Sequence, residues 1–263
     1  MGRGSNYQCA PGQLRARNLV GTKNGTTSTS VTEKHEARLP SRRQHDDSTM
    51  RLLLCQLPRE LRNHIYTFCV RGPYDNEVFI RRPTVVSDMY ALLVRQPTGH
   101  GSYRWAEDAV HALCDVSKLG YQGARELLEA YYWSRTFKCS HRELSVVGPF
   151  LQTDRYGLGL TPGCFMRRLQ LQIQADMCSQ NDISEARSAV EEAVGAIKGL
   201  GNVLTLRTEV SIDVSLPELV GDREYALKSS RIHDLSREVE KAVESLRAKG
   251  LRVALTYNKT WCS

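Results

Sequence analysis

Three stretches in the C-terminal part of the chain alternate strictly between apolar and polar side chains: 168–174 (RLQLQIQ), 203–214 (VLTLRTEVSIDV) and 252–257 (RVALTY). Successive side chains of a strand point to opposite faces, so each stretch describes a strand with one apolar and one polar face. In the first, Leu169, Leu171 and Ile173 share a face and the glutamines share the other. In the second, Leu204, Leu206, Val210 and Ile212 are expected inward, and Thr205, Arg207, Glu209, Ser211 and Asp213 outward. Helical patterns lie between the strands. Asp182, with Glu185 three places on, makes a capping box ahead of Ala186, Val190, Ala193 and Ile197, and Gly199 and Gly201 close that helix. A loop containing Pro217 leads to Ser229 and Ser230 and then to Ile232, Leu235, Val239, Ala242 and Leu246, with Gly250 as the stop. Strand, helix, strand, helix, strand implies crossovers of one hand and a parallel sheet. A sheet covered on both sides would be apolar on both faces. These strands are not, so helices are expected on one face only, leaving a polar surface free for a partner. Thr205, Arg207 and Glu209 on that surface are the candidate substrate-binding residues.

Upstream, residues 49–140 read as helical at both ends. Pro58 suits a first helical turn, where its missing N–H costs nothing, and Glu60 complements the positive end of the helix dipole. Leu61, Ile65, Phe68 and Cys69 recur at i, i+4, i+7 and i+8, an apolar stripe that Gly72 and Pro73 bring to an end. Residues 74–105 lack a period; FIRRPTVV is a candidate edge strand and RQPTGHGS a loop. A second helix is expected from about Ala106 to Trp133, with Gly120 and Gly123 marking either a break or a close helix contact. The mixed stretch YYWSRTFK (131–138) is taken as a buried helix end entering a strand, in preference to a nucleic-acid platform.

Residues 1–48 are rich in Gly, Ser, Thr, Asn and Arg, with no periodicity, and are expected to be disordered. The net charge of +7 divides as +4 in residues 1–48, +3 in 49–140 and zero in 141–263. That is a basic leader, with no positive field expected over a folded face, so nucleic acid is an unfavoured partner. No window is apolar enough to span a bilayer and no secretory signal is visible, which points to a cytoplasmic or nuclear protein without a membrane partner. The eight cysteines show no C-x-x-C spacing and no finger-like histidines, so they are read as reduced and structural, with no metal and no cofactor. GLGLTPG (157–163) is not a dinucleotide fingerprint, because Pro162 stands where the phosphate-binding helix would begin. His141 beside Glu143 and His233 beside Asp234 are read as helix-start residues and not as acid/base pairs. No convergent catalytic set is visible, and we expect no enzyme.

LPRELRNHIY (57–66) resembles the first helix of the F-box, and more closely the F-box-like proteins of filamentous fungi, in which an LPxELRNxIY pattern recurs. LCDVSKLGYQGARELLEAYYWSRTF and TPGCFMRRLQLQI are similar to later segments of that family, so the resemblance covers roughly residues 50–175. It implies three regions: the tail (1–48), an F-box-like helical region (49–140) and an α/β substrate-binding region (141–263), the last loosely similar to a short leucine-rich solenoid. It further implies a Skp-type adaptor and a cullin ubiquitin ligase as partners, an unknown protein substrate, and docking through Leu57, Pro58, Glu60, Leu61 and Ile65. The sequence departs from the compact F-box in placing about 35 residues where a second helix is expected at once. Leu61, Ile65 and Phe68 therefore have two readings: anchors for a partner, or core packing against the second helix and the sheet. A scaffold that keeps the fold without the ligase, and a nucleic-acid contact through the basic tail, are the other functional readings.

Overall fold

The computed structural model describes residues 56–71, 76–83, 89–99, 101–174, 182–218 and 224–261. The expected disordered tail, 1–48, lies outside the described residues. Helix α1 (Arg59–Val70) leads into strand β1 (Glu77–Arg81) and the hairpin β2 (Ala91–Gly99) and β3 (Ser102–Glu107). Helices α2 (Val110–Leu113) and α3 (Val116–Ser134) precede β4 (Thr136–Ser140). A 3-10 turn (His141–Val146), α4 (Val147–Gln152) and α5 (Pro162–Phe165) precede β5 (Arg168–Gln174). Then follow α6 (Asp182–Leu200), β6 (Glu209–Glu218), α7 (Glu224–Ala248) and β7 (Arg252–Trp261).

The seven strands form one mixed sheet in the order β3-β2-β1-β4-β5-β6-β7. β1, β4, β5, β6 and β7 run parallel, and the hairpin adds two antiparallel strands at one edge. Each parallel connection steps to the adjacent strand in the same direction, so crossovers of one hand place every connecting helix on the same face. The burial agrees: Val78, Phe137, Leu169, Leu171, Ile212 and Val253 turn into one core with Leu128 and Tyr131 of α3, Ile197 of α6 and Leu246 of α7. The opposite face carries Thr136, Lys138, Gln170, Gln172, Ser211, Asp213 and Thr256, half-exposed or exposed. The one-sided polar sheet read from the alternation is therefore present, within a larger sheet than three strands.

Several sequence expectations change. Residues 74–105 hold three strands, not an irregular segment. FIRRPTVV begins in β1, which is flanked on both sides, and within RQPTGHGS the residues Arg95–Gly99 belong to β2 and Ser102 opens β3. Phe79 lies on the polar face yet is buried, because Trp105 meets its ring edge-on at 4.9 Å and the Arg95 guanidinium sits 4.5 Å above it. Aromatic and arginine side chains thus replace a helix as cover there, which hides the period of two. Pro97 fits in β2 because β1 pairs only with Ala91–Leu93, leaving that edge of β2 free of ladder bonds at the proline. The second alternating stretch begins as a strand only at Glu209; 201–208 form turns and irregular chain, Leu204 is buried, and Leu206 is exposed instead of inward. Pro217 is within β6, opposite Thr260 of β7, instead of in a loop. The long helix expected from about Ala106 starts only at Val110, because Ala106 and Glu107 end β3, and it is divided at Cys114–Asp115, where the Asp115 carboxylate accepts from the Ser117 N–H at 2.9 Å and starts α3. Both glycine readings hold: Gly120 has φ +71°, and a Cβ at Gly123 would come within 3.5 Å of the Tyr66 hydroxyl on α1. The boundary expected at residue 140 falls between β4 and β5, which are hydrogen-bonded neighbours of the one sheet.

Candidate functional site

Two surfaces gather the residues singled out in the sequence. The first is α1. Arg62 grips the buried carboxylate of Glu126 on α3 with two hydrogen bonds, Nε at 2.7 Å and Nη2 at 2.8 Å, and its Nη1 donates to the Leu57 carbonyl at 2.7 Å. The hydrogen bonds from Arg62 lower the Glu126 carboxyl below its ordinary range against the opposing effect of burial, and Gln122 assists with a 2.7 Å bond. Arg59 adds an exposed contact to Glu129 at 3.1 Å. Tyr66 and Val70 supply the buried apolar contact.

With α1 seated on that side, its apolar stripe faces the other way. At about 100° per residue, Leu61, Ile65 and Phe68 lie roughly 150° around the axis from Tyr66 and Val70. They are 51%, 39% and 81% exposed. The packing reading of these three residues is corrected: the helix is held by an ion pair and a narrower seam, so its larger apolar stripe is turned to solvent. Leu57 is half-buried, while Pro58 and Glu60 are exposed. All five residues expected to dock are thus on one helix or its N-terminal approach.

The second surface follows from the sheet itself. In a parallel sheet all strand N-termini lie at one edge, and residues just before each strand collect there. Arg167 and Arg168 open β5, Arg207 precedes β6, Arg252 opens β7, and Arg71 ends α1. These five arginines line one groove with Thr67, Trp133 and Ser134, of about 440 Å³. A second hollow of about 300 Å³, lined by Asn63, Cys164, Thr205 and again Trp133, Arg167 and Arg207, continues it. Thr205 and Arg207 lie in turns and not on the polar sheet face, whereas Glu209 is on that face and pairs with Arg252 at 3.5 Å. The structure therefore brings the three candidate substrate-binding residues to one rim, by a route other than the one the alternation suggested. The backbone there is fixed: the Glu209 N–H donates to the Arg167 carbonyl at 2.7 Å, and buried Thr208 donates to the Met166 carbonyl at 2.9 Å. Arg168 donates to the Ser134 carbonyl at 3.3 Å, and Arg167 stacks on Trp133 at 5.3 Å.

Arg71, Trp133, Arg167, Arg168 and Arg252 were missed in the sequence because they come from four separate segments. A signal was available, since MRRLQLQI, LRTEV and LRVALTY each place arginine at or just before a strand. Among the described cysteines, Cys69, Cys114, Cys139 and Cys164 are free thiols; Cys114 and Cys139 are buried, and Cys69 and Cys164 are exposed. Among the described residues no cluster of His, Cys, Asp and Glu could hold a metal ion, and no helix is long and apolar enough to cross a membrane.

The fold and these surfaces define a mixed α/β protein with a helix-lined face, a polar face and an outward apolar helix. No family model matches the chain, and neither a curated protein nor a solved structure matches it.

Proposed function

We propose that this chain is an F-box-like adaptor that acts by binding and not by catalysis. Helix α1 enters a groove of a Skp-type adaptor, linking the chain to a cullin ubiquitin ligase, and the α/β half holds a protein substrate. One observation carries this reading: Leu61, Ile65 and Phe68 form an exposed stripe on a helix anchored from behind by Arg62–Glu126. Apolar anchors spaced about a turn apart and ringed by polar side chains are the usual form of a helix that binds in a groove. Leu57, Pro58 and Glu60 extend the contact over the N-terminal turn. On this reading the departure from a compact F-box is bridged by α3, which supports α1 although β1, β2 and β3 of the sheet lie between the two helices in sequence. The likeness of the α/β half to a leucine-rich solenoid belongs to the same reading, resting on parallel strands with helices on one side.

A pull-down of the full-length protein, probed for the Skp-type adaptor and the cullin, tests it. Co-purification of both is the expected result. A folded protein that retains neither would leave a scaffold without ligase binding.

A further inference from the structure

Residues 141–263 carry no net charge, and the sequence predicts no positive field over a folded face. Folding undoes that evenness. At the N-terminal edge of the parallel strands, Arg71, Arg167, Arg168, Arg207 and Arg252 converge on one groove, against which stands a single lining carboxylate, Glu209. Glu209 is already paired with Arg252. Among the described residues Arg71, Arg167 and Arg207 have no carboxylate partner. Five guanidiniums held together repel one another unless something negative joins them. Glu129 lines the adjoining hollow but is paired with Arg59 and Arg125.

We propose that this groove binds a phosphate monoester or diphosphate group. The inference deepens the substrate-holding half of the adaptor reading and rests on it for the claim that this half holds a ligand. Three observations select the chemistry. The donors are all arginines, whose planar forks match tetrahedral oxyanions with paired hydrogen bonds in a way that lysine does not. They come from α1, the segment ahead of β5, the turn before β6 and the start of β7, so they approach from several directions, as a dianion with three free oxygens requires. Trp133, 53% exposed, lines both hollows and offers an apolar wall to whatever body carries the phosphate. At about 440 Å³ the groove is within the ~300–1,000 Å³ of small-ligand sites, so it takes the charged group and a short stretch of its carrier. Arg167, stacked on Trp133, is oriented in advance, and the bonds from Glu209 and Thr208 to the backbone at Arg167 and Met166 hold the rim in place.

The carrier can be a small molecule or a phosphorylated side chain, and titration calorimetry on the full chain separates them. The probes are inorganic pyrophosphate, a phosphoserine peptide and the same peptide unphosphorylated, each at about 0.15 M ionic strength. Pyrophosphate is expected to bind, and Arg167→Ala with Arg207→Ala to weaken it by about tenfold or more. Arg104→Ala with Arg237→Ala, which removes equal charge elsewhere, should leave binding unchanged. Arg207→Lys alone keeps the charge and the fold but removes the fork, and should weaken binding partly. A phosphopeptide that binds more tightly than pyrophosphate assigns the group to a protein; one that binds more weakly assigns it to a small molecule. Binding as tight in the groove variant as in the wild type overturns the proposal, as does failure of every phosphate probe or equal binding of the unphosphorylated peptide. The adaptor reading fails separately: the groove variant should still co-purify the adaptor, and Leu61→Ala with Ile65→Ala should still bind pyrophosphate.

Discussion

Helix α7 turns Val239, Ala242, Val243 and Leu246 into the core over β6 and β7, while α1 turns Leu61, Ile65 and Phe68 away from the protein. Both helices carry an apolar stripe at helical spacing in the sequence. What separates them is the support each has on its inner side. α7 is held mainly by burial of its stripe, a non-directional force that scales with area, and its bonds to β7, from Arg247 to the Val253 carbonyl at 2.9 Å and from the Tyr257 hydroxyl to Glu240 at 3.1 Å, lie at the half-exposed margin of that stripe. α1 is held by a two-pronged ion pair, Arg62–Glu126, with Tyr66 and Val70 beside it. A directional bond on one side frees the other side to be apolar without being core. Periodicity tells that a helix has an apolar face; it does not tell which way that face points.

The largest effect expected from this contrast is in the core. Leu246→Ala, or Ile197→Ala on α6, should cost about 2–5 kcal/mol in urea unfolding, because both side chains are fully buried and leave cavities. Next comes the clamp. Glu126→Gln removes the charge but keeps the shape, and a loss of about 1–3 kcal/mol is expected, concentrated in α1 as faster amide exchange there than in α7. The clamp also sets a pH dependence. Hydrogen bonds from Arg62 lower the folded-state value of Glu126 below its unfolded value, so its stabilisation is complete above the ordinary glutamate range and is lost as pH falls through the lowered value. The stability gap between wild type and Glu126→Gln should therefore be constant near neutrality and close in acid. A gap that instead widened in acid would show that the carboxylate is not stabilised by Arg62. The smallest effect belongs to the outward stripe: Leu61→Ala and Phe68→Ala should each change stability by less than about 1 kcal/mol.

The sheet was legible where one face meets helices and the other meets water, as in β5, whose glutamines alternate with Leu169, Leu171 and Ile173. It was illegible in β1, because Phe79 is covered on the polar side by Trp105 and Arg95, and in the hairpin, whose β3 is largely exposed on both faces and so has no contrast to alternate. The turns before β6 looked like strand because Leu204 and Leu206 happen to be spaced by two, though Leu206 is largely exposed. The groove was hidden for a different reason. Its arginines are adjacent only because parallel strands start at one edge, and sequence distance between Arg71 and Arg252 gives no hint of that. Helix α1 was readable as a motif, but the exposure of its apolar stripe depended on a partner for Arg62 found 64 residues downstream at Glu126.

The account turns on the outward side of α1, and the double variant Leu61→Ala with Ile65→Ala tests it most directly. The full-length protein, wild type and variant, is assayed in parallel for co-purification with the Skp-type adaptor and for melting temperature. The account predicts that adaptor binding is abolished while the melting temperature shifts by no more than a few degrees. A variant that melts far below the wild type, or that keeps the adaptor as well as the wild type does, would contradict it.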